Sequence, residues 1–141
     1  MSASVRWDGL EELKRELRNL PADLTREASH VVEGTANAAA TEIKRGYGKH
    51  RRTGNLQAGV LVTHFDKGKF STGALVKNTA KHAHLFEVGT QARHTAIGAN
   101  RGSMPPGHVF VPAVIKWRRR MYQELKDILV RHGLVVTGEA K

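Results

Sequence analysis

Histidine and glutamate are the side chains of this sequence with the most chemical potential, and their spacing argues against a metal site. The chain holds eight histidines and no cysteine. A zinc site needs three or four ligands in a fixed geometry, yet His82 and His84 are two residues apart and diverge if they lie on a helical turn. Glu87 is the one acid near them. We therefore interpret the histidines as surface or interface residues and expect no metal.

Motifs for covalent catalysis and for cofactor binding are also missing from the sequence. Neither Ser71 nor Ser103 has a histidine and acid context, and no Gly-x-Ser-x-Gly run occurs. The glycines at 98, 102 and 107 follow neither the phosphate-loop nor the dinucleotide spacing. We predict that the protein is not an enzyme and uses no cofactor.

Glu87 is the acid whose surroundings carry the most information. It stands just before Gly89 and Thr90, close to several cationic residues. One interpretation is a solvated carboxylate. The other is a charge-assisted hydrogen bond that fixes the following loop or clamps an arginine of a neighbouring subunit.

Positive charge is high and unevenly distributed. The formal net charge is +10, and no acid occurs in residues 44–52 or 88–123 although both segments are rich in lysine and arginine. Such asymmetry suits a polyanion or an acidic partner, and it also keeps a protein soluble. The basic runs do not alternate with aromatic residues, so any nucleic-acid contact is expected to be to phosphates and independent of base sequence.

The first half of the chain has the pattern of two helices. Asp8 is a candidate N-cap for a leucine-striped helix that Pro21 ends. A longer helix is predicted over residues 22–44, closed by Gly46 and Gly48. Its predicted inner face consists of Leu24, Ala28, Val31, Ala38 and Ile43.

A hairpin and a short helix are predicted next. Residues 59–65 and 70–78 have the composition of strands, with a turn at residues 66–69 between them. Thr79 is a candidate cap for a short helix that Gly89 ends.

The last third combines a long loop, a short strand and a helix. Residues 91–107 form a Gly/Pro loop that is long for a compact domain, and residues 109–111 are predicted as a third strand. An amphipathic helix then begins with Pro112 in its first turn and ends at Gly133. Its apolar face carries Val114, Trp117, Met121, Leu125, Ile128 and His132.

These elements predict one α+β domain over residues 1–141, with residues 1–7 and 134–141 as flexible tails. A small antiparallel sheet of about three to four strands packs against the long N-terminal helix and the C-terminal amphipathic helix. No stretch approaches the ~20 apolar residues of a membrane helix, so no membrane partner is expected.

Three motifs at matching spacing carry a family resemblance. They are a basic residue followed by Thr-Gly-x-Leu, an Ala-x-x-x-Glu-x-Gly-Thr element, and an aromatic residue leading into Pro-Ala. The residues that match them are Arg52, Thr53, Gly54, Leu56, Ala83, Glu87, Gly89, Thr90, Phe110, Pro112 and Ala113. In this order the chain resembles the HK97 gp10-like tail-component family of long-tailed bacteriophages.

The resemblance implies a virion protein at the head-to-tail junction, assembled in the host bacterial cytoplasm. It implies a ring of copies of this chain, with six expected and twelve left open, between a connector or head-closure protein and a tail terminator or tail tube protein. Neck, tail-completion and tail-terminator roles all stay open. Genomic DNA would pass through the ring, and the candidate residues for phosphate contact are Lys49, Arg51, Arg52, Arg93 and Arg101. The alternative is a stand-alone basic module that binds nucleic acid without sequence preference.

Overall fold

The computed structural model describes residues 22–50, 52–66 and 72–137. In chain order the elements are helix α1 (Ala22–Gly48), helix α2 (Asn55–Ala58), strand β1 (Val60–Asp66), strand β2 (Thr72–Asn78), helix α3 (Ala83–Val88) and helix α4 (Phe110–Arg131). The predicted helix after Asp8, residues 1–7, Arg51, most of the predicted turn and residues 138–141 lie outside the described residues.

Helix α1 is the element against which the others pack. Its small side chains allow close approach: Ala36, Ala39 and Ala40 are buried together with the larger Ile43 and Tyr47. Helix α4 lies along one side of α1, and the hairpin and α2 contact it as well. The core cluster therefore centres on the C-terminal half of α1, where Val60 and Ala113 join it.

Helix α4 runs antiparallel to α1. Glu42 accepts hydrogen bonds from Lys116 and from the Trp117 indole, at 2.9 and 2.6 Å. At the other end of the pair, Glu27 lies 3.6 Å from the Arg131 guanidinium. Ala113 and Ile128 are the buried residues of α4, so the predicted amphipathic face is the face that meets α1.

Strands β1 and β2 form an antiparallel hairpin with Val60 opposite Asn78 and Val62 opposite Val76. Val60 is fully buried against α1. The opposite face of the hairpin carries Leu61, Phe65 and Leu75, all of which stay exposed. The α+β class is therefore confirmed, with two paired strands among the described residues rather than three or four.

Two predicted elements differ in the structure. The predicted third strand is wrong: Phe110 and Val111 are the first residues of α4, and Val109 is its N-cap. Helix α1 does not stop near residue 44 but continues through Gly46 to Gly48. A Cβ on Gly46 would collide with the Val109 side chain, so this glycine permits a close contact inside the helix instead of ending it.

The ends of the shorter elements are partly as predicted. Helix α3 ends at Gly89 as expected, but His82 precedes it and Thr79 does not cap it. The Thr79 hydroxyl donates instead to the carbonyl of Gly59, at 3.3 Å. Helix α4 ends at Arg131, two residues before the predicted Gly133, and the Gly133 and Leu134 amides donate to the carbonyls of its last turn. Among the described residues, no helix is both long and apolar enough to cross a membrane.

Candidate functional site

The Glu87 carboxylate joins the ends of three helices. From the last turn of α3 it accepts hydrogen bonds from the backbone amides of Val109 and Phe110, at 3.2 and 2.8 Å. It also accepts one from the Tyr47 hydroxyl of α1, at 3.0 Å. We call this set of contacts the anchor. A carboxylate at a helix N-terminus is favoured both by the free amides and by the helix dipole.

The anchor satisfies most of the free donors at the start of α4. A helix leaves its first four amides without partners inside the helix, which here are those of residues 109–112. Glu87 takes the first two, and Pro112 has no amide hydrogen to satisfy. His108 turns the chain into this position with a positive φ of 47°, a conformation that costs a non-glycine residue about 1 kcal/mol.

Tyr47 is the buried member of the anchor. Its side chain is 1% exposed, and its ring meets the Phe86 ring edge-on at 5.5 Å. Burial, and then the hydrogen bond to Glu87, raises the pKa of the Tyr47 hydroxyl well above its ordinary value of 10.0. The hydroxyl is therefore a fixed donor. Sequence reasoning missed Tyr47 because it ended α1 before this residue.

Gly89 lets the chain leave α3 toward the next segment. It has φ 82° and ψ 178°, a conformation essentially restricted to glycine. A Cβ there would lie 2.7 Å from the Met104 carbonyl oxygen and 2.9 Å from the Pro106 nitrogen. The Gly107 amide donates to the Phe86 carbonyl at 2.7 Å. The two ends of the predicted 91–107 loop are thus held together next to Glu87.

Residues 90–104 form an antiparallel finger rather than an irregular loop. Thr90 bridges to Met104, and His94 bridges to Asn100. The Thr90 amide donates to the Met104 carbonyl, and the Thr90 hydroxyl accepts from the Met104 amide, at 2.8 and 2.9 Å. Near the tip, the Thr95 amide donates to the Ala99 carbonyl at 2.9 Å. Sequence spacing did not reveal this pairing, which depends on backbone hydrogen bonds.

The finger ends in an isolated apolar side chain on a basic stem. Ile97, at the tip, is 92% exposed, whereas Arg93 and Arg101 lie on the two sides of the stem and are also exposed. Ile97 was not selected from the sequence. Its only signal there is an aliphatic residue in a segment otherwise made of small and polar residues.

The remaining residues of the three motifs lie in or beside α2, α3 and α4. Gly54 precedes α2, Leu56 packs against the core cluster, and Phe110 does so from α4. Ala83 is buried at the start of α3. Arg52 and Thr53 are exposed before α2, and Lys49 is exposed at the end of α1.

The end of α1 lies beside α3 and the base of the finger. The His50 ring lies 5.4 Å from the Phe86 ring, so the segment that follows α1 adjoins α3 and the start of the finger. Lys49 flanks His50 in the sequence, and Arg93 and Arg101 lie farther along the finger. The structure therefore brings the basic end of α1 and the base of the finger to one region.

The described residues contain no group of three or more histidines and acids that could hold a metal ion. A shallow groove between α1 and α4 is lined by Gly34, Ala38 and Trp117, with Arg120 stacked on the Trp117 ring at 5.2 Å. Arg120 also pairs with Glu124 at 2.9 Å. The groove thus consists of packing contacts between the two helices.

Comparisons with protein-family models, with curated proteins and with solved structures found no match for this chain.

Proposed function

We propose that this chain is a structural virion protein of a tailed bacteriophage, forming a ring at the head-to-tail junction. In this role it bridges connector and tail tube as a neck, tail-completion or tail-terminator component. DNA passes through the ring and meets the basic end of each subunit. The chain acts by binding copies of itself and neighbouring virion proteins, not by catalysis.

The observation that carries the proposal is the use of the family-like motif. Glu87, Gly89 and Thr90 of the Ala-x-x-x-Glu-x-Gly-Thr element all serve to build and hold the finger. Phe110 and Pro112 of the third motif lie in the first turn of α4, where the Phe110 amide donates to Glu87. Residues of two of the three motifs thus meet at the base of one projecting element, which supports a contact role for this element.

Exposed apolar surface supports an assembly role. Leu61, Phe65 and Leu75 share the outer face of the hairpin, and Ile97 stands at the tip of the finger. Contiguous exposed apolar residues commonly mark interaction surfaces. Among the described residues, each strand of the hairpin also has an edge without a partner strand, where a neighbouring chain can pair. A ring needs two such surfaces on each subunit, because its contacts are heterologous.

Two measurements test the proposal: the oligomeric state by light scattering, and the assembly of phage particles. The purified chain, alone and mixed with the connector and tail tube proteins, should form closed rings visible by electron microscopy. Phage lacking the gene should accumulate full heads and separate tails, and a tagged copy should label the junction. Normal tailed particles without the protein would overturn the proposal.

The exposed arginines of the finger favour one alternative, a stand-alone module that binds nucleic acid through phosphates. A chain that stays monomeric with every virion partner but binds duplex DNA with a steep salt dependence would support this alternative over the ring.

A further inference from the structure

Arg93 and Arg101 form a like-charged pair across the finger. His94 and Asn100 bridge, and the Arg101 amide donates to the Arg93 carbonyl at 2.7 Å. Residues next to a bridged pair lie opposite each other on the other face of the ribbon, which places the two arginines side by side. Like charges directly opposite destabilise a strand pair. Among the described residues no carboxylate pairs with either arginine, so the arrangement fits an anion supplied from outside.

The tip of the finger is held in shape before any partner binds. The Gly98 amide donates to the Thr95 carbonyl, and the Ala99 amide donates to the Thr95 hydroxyl, at 2.9 and 3.0 Å. These internal bonds leave the Ile97 side chain as the projecting group. A preformed tip loses little conformational freedom on binding.

We propose that the finger enters the major groove of duplex DNA, with Arg93 and Arg101 on backbone phosphates and Ile97 against the base edges. The inference deepens the DNA contact of the proposed function and rests on it. The widths of the two grooves favour the major groove, because a two-stranded ribbon fits the ~12 Å major groove of B-DNA but not the ~6 Å minor groove.

The length of the finger agrees with this placement. The His94–Asn100 pair is three residues from Ile97, a reach of at most about 10 Å that the turn over residues 95–98 shortens. The major groove is about 8.5 Å deep. When Ile97 points toward the groove floor, Arg93 and Arg101 lie near the groove edge, where phosphates are within reach of their side chains. Apolar contact at the floor favours the thymine methyl group.

Charge favours DNA over an acidic protein as the partner. Residues 88–123 carry no acid, and the chain has a net charge of +10. A polyanion engages such a segment along its length, whereas a single carboxylate engages one site. Because phosphates carry most of the interaction, affinity should depend strongly on salt.

The arginine pair is tested by fluorescence anisotropy of a labelled duplex over a range of salt concentrations. Relative to the wild-type chain, Arg93→Gln with Arg101→Gln should bind roughly fiftyfold more weakly at ~0.1 M salt and lower the salt slope by about 1.8, two phosphate contacts being lost. Lys77→Gln with Lys126→Gln removes the same charge from exposed positions elsewhere and should change both values little. Equal losses in the two double variants would overturn the proposal.

Ile97 and the choice of groove need a second readout. Ile97→Ser should weaken binding about tenfold and leave the salt slope unchanged, because the lost contact is apolar. Replacing thymine by uracil in the duplex should weaken wild-type binding and have no effect on Ile97→Ser. A minor-groove ligand that displaces the protein would contradict major-groove entry.

The outcomes separate this inference from the proposed function. If the wild-type chain forms rings and Ile97→Asp disrupts them without any DNA binding by the parent, the finger is a subunit contact and the inference fails while the ring stands. If the wild-type chain binds DNA through the finger but forms no ring, the inference stands and the ring proposal fails. Circular dichroism of each variant verifies that the exposed substitutions leave the fold intact.

Discussion

The anchor and the tip of the finger are stabilised in opposite ways, although Ile97 is only ten positions after Glu87. At the anchor, Tyr47 is buried and Glu87 is bonded to two helix amides and a hydroxyl. At the tip, the backbone is satisfied locally and Ile97 is left almost wholly in water. Water exposure of an isoleucine forgoes about 2 kcal/mol of burial.

The anchor therefore serves the stability of the fold, and the tip of the finger is available for binding. The anchor uses its polar groups for contacts inside the chain. The finger offers arginines and an aliphatic side chain that contribute nothing evident to the fold. Substitutions at the anchor should therefore act on folding, and substitutions at the tip should act on binding.

Two glycines with the same φ provide the largest expected contrast. Gly89 and Gly98 both have φ 82°, but a Cβ on Gly89 would strike Met104 and Pro106 whereas one on Gly98 would meet open space. Gly89→Ala should cost about 3–5 kcal/mol through backbone strain and overpacking. Gly98→Ala should cost about 1 kcal/mol. Urea unfolding measures both, and equal costs would remove the distinction between base and tip.

Removal of the Glu87 carboxylate should have the next largest effect. Glu87→Ala leaves two helix amides and the Tyr47 hydroxyl without their acceptor, which should lower the free energy of unfolding by about 3 kcal/mol. Glu87→Gln keeps an acceptor oxygen and should lose about half as much. A change below 0.5 kcal/mol in the alanine variant, taken as roughly the size of an ordinary surface substitution, would show that the anchor is not structural.

Tyr47→Phe removes one bond of the anchor and preserves the ring packing. We expect a loss of about 1–2 kcal/mol near neutral pH. Because the folded pKa of Tyr47 lies above its unfolded value of about 10, its contribution is complete below pH 10 and is lost as pH rises further. Wild-type stability should thus decline above pH 10 more steeply than that of Tyr47→Phe. Parallel pH profiles would contradict this assignment.

The smallest expected effect lies away from the finger, at Glu42. Hydrogen bonds from Lys116 and then Trp117 lower the pKa of this carboxyl below 4.5. Its stabilising contribution is present above that value and is lost as pH falls through the lower, folded value. The Glu42 side chain is 36% exposed, so Glu42→Gln should cost under about 1 kcal/mol at pH 7. The variant should match the wild-type chain at pH 2, and a difference that persists there would point to packing instead.

Elements with strong local signals were predictable from the sequence. The hairpin follows from two apolar β-branched runs, and the inner face of α4 follows from its helical spacing. The prediction of a strand at residues 109–111 is wrong because it relied on Val-Phe-Val, which has the composition of a strand. Glu87, which is distant in sequence, accepts hydrogen bonds from the amides of Val109 and Phe110 and so favours the start of a helix there.

The candidate site was only partly predictable, because its contacts join residues that are distant in the sequence. A role for Glu87 in fixing the following loop was one of the two alternatives, and the structure favours it. Its partner Tyr47 is forty residues away and was hidden by two glycines that resemble a helix end. The finger was predicted as a loop because no alternation of apolar and polar residues marks its two sides.

Hydrogen exchange of Glu87→Ala tests the central claim, that this carboxylate holds the finger on the rest of the fold. The account predicts that the amides of Thr90, Arg101, Val109 and Phe110 lose protection, while those of the β1–β2 hairpin and of mid-α1 keep theirs. Unchanged protection in residues 90–110 would contradict the account, because the finger would then be held without Glu87.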